Sequence, residues 1–194
     1  MVHLGKIDIK KANKESERAT LRWIRHSDTD EMARLVEIDL DEQVKRFVEE
    51  VSGDVEDLIA FAQSDKNYMA VAVVGKVGHV SDDEVDKLQG WLTVYSDRRV
   101  KNLIGRVLEV GFAKHPKAKT GQMASGLRQL VKFLKDEHDK KGEIIHLTAY
   151  IDPENTGSRR VLEAAGFVEK GKVKYRLKNK HHDHFFLVDW EKVK

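Results

Sequence analysis

The chain contains no cysteine, so thiolate catalysis, disulfides and cysteine-bound metals are excluded together, and any nucleophile must come from a substrate or another residue type. The residues whose spacing carries most chemistry run from Glu109 to Arg128, Glu-Val-Gly-Phe-Ala-Lys-His-Pro-Lys-Ala-Lys-Thr-Gly-Gln-Met-Ala-Ser-Gly-Leu-Arg. An apolar run gives way near Pro116 to a polar loop of small residues that opens a helix. Thr120, Gly121, Gln122, Ala124 and Ser125 would leave backbone N–H groups open to a phosphate, and the positive end of the helix dipole adds to the attraction. Lys117 and Lys119 place further charge there. An ordinary strand-loop-helix corner, packed with small residues, reads the same way, so the loop needs corroboration. A nucleotide P-loop is excluded. Gly121 and Gly126 have its spacing, but Leu127 and Arg128 follow where a Lys and a Ser/Thr are needed.

Two other groups have reactive residue types. His181-His182-Asp183-His184 resembles a metal cluster. It falls between two strand-like runs, and residues alternating along a hairpin point to opposite faces, so it reads as a solvated turn and no metal is expected. His115, directly before Pro116, is either a turn residue or a proton acceptor.

Composition narrows the classes. The 194 residues suit one domain, at about 150 residues per domain. The chain is 40% hydrophobic, and 35 Lys+Arg nearly balance 33 Asp+Glu for a net charge of +2. A polyanion is therefore not the expected partner, and no nucleic acid is predicted. The amino terminus lacks an apolar signal-peptide core and no stretch approaches the roughly 18 apolar residues of a membrane span, so a cytoplasmic protein without a membrane partner is expected. A monomer or a homodimer fits equally.

The elements that must position these residues read as a mixed α/β domain. Residues 1–18 read as a loosely ordered lead-in, charged from Lys10 to Arg18. Thr20 to Ile24 reads as a strand, and Ser27 or Asp28 can cap a helix carrying Met32, Leu35, Val36 and Ile38. Helical spacing recurs at Val44, Phe47, Val48 and Val51, and again at Val55, Leu58, Ile59 and Ala62. Tyr68 to Val74 has the look of a strand buried on both faces. Strands at Leu88 to Val94 and up to about Ala113 would complete an antiparallel meander. A helix with Met123, Leu127, Leu130, Val131 and Leu134 follows, then a strand over Ile144 to Ile151 and a helix ending at Gly166. Strands near Val173 to Lys178 and Phe185 to Trp190 finish the chain.

Corroboration for the loop comes from Asp152-Pro-Glu-Asn-Thr-Gly-Ser-Arg-Arg-Val-Leu-Glu-Ala-Ala-Gly-Phe. It resembles the Asn-x-x-Ser/Ala through Gly-Phe signature of the GNAT acetyltransferase superfamily. With Glu-Val-Gly-Phe-x-x-His-Pro before the loop, the pair is most similar to the RimJ/RimL-like branch, which acetylates ribosomal-protein amino termini. Leu21-Arg-Trp-Ile-Arg-His-Ser-Asp and Gly90-Trp resemble the family's opening and third strands. The chain departs from the family at Gln122, which replaces a central loop glycine, and at Leu162, where many members carry a tyrosine acid.

The resemblance implies a GNAT-like, mostly antiparallel central sheet flanked by helices over residues 1–194, with strands splayed at a cofactor cleft and acetyl-CoA as cosubstrate. It implies that the pantetheine arm pairs with backbone at Phe112, Ala113 and Lys114. The phosphates would sit on Lys119, Thr120, Gly121, Gln122, Met123, Ala124 and Ser125, and Asn155 would hold the arm. Asn155 is also a good helix N-cap. Ser158 occupies the slot of the branch's proposed donor to the thiolate, although an inert helix serine has the same spacing. Glu109, on the strand lining that cleft, is the leading general base, unless it merely pairs with a surface cation. The expected activity is acetyl transfer to a protein amino terminus or a small amine. The alternatives are a non-catalytic GNAT-fold regulator that binds acyl-CoA, made conceivable by Gln122 and Leu162, and a small-molecule binding protein without CoA.

Overall fold

A computed structural model describes residues 17–25, 27–47, 69–97, 100, 103–174 and 181–187. Among them seven strands form one sheet: β1 (Ala19–Trp23), β2 (Met69–Gly75), β3 (Leu88–Ser96), β4 (Arg106–Lys114), β5 (Ile145–Ile151), β6 (Phe167–Lys174) and β7 (His181–Leu187). Their order is β1-β2-β3-β4-β5-β7-β6. Every neighbouring pair is antiparallel except β4 with β5, which is parallel. A parallel pair needs a long crossover. Here that crossover is a helix, and it begins in the polar loop.

Among the described residues the α-helices are α1 (Thr29–Leu40), α2 (Glu42–Phe47), α3 (Gln122–Asp139) and α4 (Thr156–Ala164). Asp28 starts α1, its Oδ1 accepting from the amides of Asp30 and Glu31 at 3.1 Å each. Asp41 then breaks the helix and caps α2 through Val44 N at 3.2 Å. The helical spacing beyond Phe47, from Val48 to Ala62, lies outside the described residues.

The helices pack on opposite faces of the sheet. On one face α3 and α4 set Met123, Leu127, Leu130, Leu134 and Leu162 against Leu21, Val73, Leu92, Leu108, Val110 and Leu147. On the other, α1 sets Met32, Leu35 and Ile38 against Ala72, Val74, Leu88 and Ala113. Val71 to Val74 alternate between these cores, which explains why β2 is apolar at every position.

The last two strands differ from the sequence reading. β6 begins at Phe167, directly after Gly166 at φ 91, and not near Val173. Its Glu-Lys-Gly-Lys alternation resembles a loop, but an edge strand tolerates charge, and a bulge between Glu169 and Gly171 interrupts its ladder. β7 begins at His181, so the histidine run is strand rather than turn. His182 and Asp183 are buried, and Arg159 of α4 reaches both Asp183 and Glu169. The buried Asp183 carboxylate is thus paired with a guanidinium 24 residues away in sequence.

Candidate active site

The parallel pair β4/β5 stops early. Its register runs Arg106↔Ile145, Val107↔His146, Leu108↔Leu147 and Glu109↔Thr148 and goes no further, although β4 continues to Lys114 and β5 to Ile151. His115 N donates to Gln89 O and Asp97 N to Val107 O, so the odd-numbered residues of β4 turn their backbone toward β3. Arg106 N donates the other way, to Ile144 O at 2.9 Å. By alternation Val110, Phe112 and Lys114 turn N–H and C=O toward the gap. Of the three residues expected to pair with a pantetheine arm, Phe112 and Lys114 therefore face the opening. Ala113 does not; its backbone belongs to the β3 ladder opposite Trp91.

The loop expected to hold phosphates stands at the open end. Gly121, at φ 89, is the N-cap of α3, a left-handed conformation that favours glycine. The first backbone bond of the helix runs from Ser125 N to Gly121 O at 3.0 Å, and Gln122 N reaches only Lys119 O at 3.4 Å. The amides of Met123 and Ala124 thus lack an intrahelical acceptor, as at any helix start. Gln122 is 1% exposed, so its side chain turns into the protein and leaves the open face of the loop to backbone. Ser125 is committed elsewhere. Its Oγ accepts from Arg18 N at 2.8 Å and Ala19 N at 3.2 Å and donates to Glu17 Oε2 at 2.8 Å.

Asn155 caps α4, its Oδ1 accepting from Ser158 N at 2.9 Å. This cap occupies the carbonyl oxygen and leaves the side-chain N–H groups available. Ser158 is half-buried in the first turn of α4. Leu162, one turn on, is fully buried in the core, so that position offers no proton donor. Arg46 of α2 pairs with Glu154, tying α2 to the loop after β5.

Glu109 lies at the point of divergence. It shares the α1 face of β4 with Ala113 and is 5% exposed. Beside it Asp97, at the end of β3, accepts from Thr148 Oγ1 at 2.9 Å and Tyr150 Oη at 2.6 Å. His115 serves the corner instead of the cleft. Its ring is fully buried, Nδ1 accepting from Lys117 N at 3.2 Å and Nε2 donating to Glu37 at 3.0 Å. That bond holds the Glu37 carboxyl below its ordinary range. On α1, Asp39 is 4% exposed beside Trp91, and burial pushes its carboxyl up to about 6 against the opposing hydrogen bond from Trp91.

Asp97, Tyr150, Asp39 and Arg18 were not singled out by sequence spacing. Asp97 and Tyr150 are brought together only by strand order, as are Arg18 and Ser125.

Comparison with known proteins places this geometry. No curated protein matches the sequence. An acetyltransferase of the GNAT family from Bacillus anthracis superposes with a TM-score of 0.65 at 20% identity, over 89% of this chain and 94% of that one. Mycobacterium smegmatis RimJ in complex with CoA-disulfide gives 0.66 at 18% identity, over 90% and 83%. AAC(6')-Ib in complex with acetyl-CoA gives 0.60 at 14% identity, over 88% and 93%. At such identities these likenesses speak for the fold. The family model described as acetyltransferase (GNAT) domain matches residues 18–168, most of the chain and both halves of the gap, and the protein therefore belongs to the GNAT acetyltransferases, enzymes that use acetyl-CoA as acyl donor.

Proposed function

We propose that this enzyme passes the acetyl group of acetyl-CoA directly to a primary amine in a ternary complex, and that residues 1–194 work as one such domain. The observation that carries this reading is the ending of β4/β5 pairing at Glu109↔Thr148, with the amide-bearing start of α3 at the open end of the same gap. A pantetheine arm fits the place of the missing ladder, pairing with Val110, Phe112 and Lys114. The phosphates meet Lys119, Thr120, Gly121, Met123 and Ala124, and the Asn155 side-chain N–H groups remain free to hold the arm.

Glu109 takes a proton from the acceptor ammonium, directly or through water. The neutral amine attacks the thioester carbonyl, the C–N bond forms, and the C–S bond breaks as the tetrahedral intermediate collapses. The proton that the attacking nitrogen must shed is passed through the Ser158 hydroxyl to the departing thiolate, which leaves as the free thiol and restores the serine. Direct attack is favoured because no cysteine exists to carry the acetyl group.

The acceptor is a protein amino terminus, as the RimJ-like motifs suggest, or a small amine. Thiol release measured over a panel of N-terminal peptides and small amines tests the reading. Amine-dependent release with intersecting initial-rate lines is expected. A stoichiometric acetyl-enzyme discharged by amine, with parallel double-reciprocal lines, would reject direct transfer.

A further inference from the structure

We propose that Arg18 grips the pyrophosphate of acetyl-CoA, an assignment that rests on placing the phosphates at the loop before α3. Its backbone is fastened to the first turn of that helix: Arg18 N and Ala19 N both donate to Ser125 Oγ, at 2.8 and 3.2 Å. Glu17, just before it, accepts from the same hydroxyl and from Arg128 Nη2 at 2.9 Å. The position of Arg18 is thus set from both flanks, 107 residues away in sequence from the serine that holds it.

Its side chain lies against the cap. A Cβ added to Gly121 would meet Arg18 Nη1 at 3.3 Å and Cδ at 3.5 Å. This is an unfavourable place for a cation in isolation, because the helix start carries partial positive charge. No carboxylate offsets it: among the described residues Arg18 has no ion pair, and the adjacent Glu17 carboxylate already serves Ser125 and Arg128. Lys119, exposed on the same loop, has no ion-pair partner among the described residues either. Like charges gathered on a helix start become favourable once a diphosphate lies between them. A guanidinium suits it better than an ammonium, since its planar fork engages two phosphate oxygens at once.

Calorimetric titration of the full chain with CoA, 3′-dephospho-CoA and S-acetylpantetheine tests this. Arg18→Ala should weaken CoA about tenfold, the range of a charge-assisted bond. It should weaken 3′-dephospho-CoA equally and leave S-acetylpantetheine unchanged. Arg18→Lys should recover part of the loss, and thermal unfolding of ligand-free Arg18→Ala should occur no lower than that of the parent. Parent-like CoA affinity in Arg18→Ala would overturn the proposal. So would a loss confined to CoA, which would move the contact to the 3′-phosphate. If the parent binds CoA no tighter than S-acetylpantetheine, the loop itself is misplaced and the proposal falls with it.

Discussion

Glu109 and Thr148 are the last residues in register between β4 and β5, and the Thr148 hydroxyl turns from that pair to Asp97 at 2.9 Å. Tyr150, two residues on, reaches the same carboxylate oxygen at 2.6 Å. Two hydroxyls of β5 are thereby bound to the end of β3 across the intervening strand, fixing where the gap opens. Tyr150→Phe should remove one charge-assisted bond and cost about 1–2 kcal/mol, since bonds to charged groups are worth more than neutral ones. Urea denaturation measures this as a lower midpoint at unchanged slope. An unchanged midpoint would show that the bond contributes nothing to stability.

Gly121 sits at φ 89. Gly121→Ala should cost about 1–2 kcal/mol in the left-handed region. The new Cβ lies 3.3 Å from Arg18 Nη1, a flexible side-chain end that can withdraw. The same change should weaken acetyl-CoA by tilting the amides of the loop. A proline there would demand φ near −65° and disrupt the helix start outright, so alanine is the informative variant. Parent-like stability and affinity together would show that the loop does not depend on its left-handed cap.

Much of this architecture follows from local signals. Asp28 marks the start of α1 because a short acidic side chain bonds the next amides, and the apolar run before Gly75 marks a strand between two cores. The loop that opens α3 and the Asn155 cap are likewise contiguous, so spacing reveals them as local structure. The gap-facing register is not contiguous. That Ala113 faces β3 while Phe112 faces the opening depends on the alternation of bonds to a neighbouring strand. Asp97 meets Tyr150 across 53 positions, and no periodicity links them. The boundaries of β6 and β7 were obscured for a related reason: Lys170, Lys172 and His182 look like loop residues until the edge position and Arg159 are seen.

Glu109→Gln should lower turnover by roughly 10²-fold, the lower range for loss of a general base, while acetyl-CoA affinity stays within about twofold. The amide retains the shape of the side chain but cannot take the ammonium proton. Ser158→Ala should reduce turnover by less than about tenfold, because water can replace a hydroxyl donor to a thiolate. Stopped-flow thiol release alongside calorimetry separates the two effects. Unchanged turnover in Glu109→Gln would transfer the base role elsewhere and leave the fold of the cleft intact.

Asp39 predicts a pH dependence of stability. Its carboxyl is pushed from 3.8 up to about 6, first by burial, with a smaller opposing effect from Trp91. A pKa raised on folding means that the native state binds the proton more tightly than the unfolded chain. The associated stability is fully present below about pH 4 and is lost as pH rises through about 6. The parent should therefore lose about 2–3 kcal/mol from this group between pH 4 and pH 7. Asp39→Asn removes the titration while keeping an oxygen for the Trp91 bond. Relative to the parent, Asp39→Asn should then gain about 2–3 kcal/mol in stability as pH rises over that interval. Denaturant unfolding of both proteins at several pH values measures the difference. A difference that is flat across the interval would show that Asp39 titrates in the native state as it does in the unfolded chain, with its burial relieved by solvent.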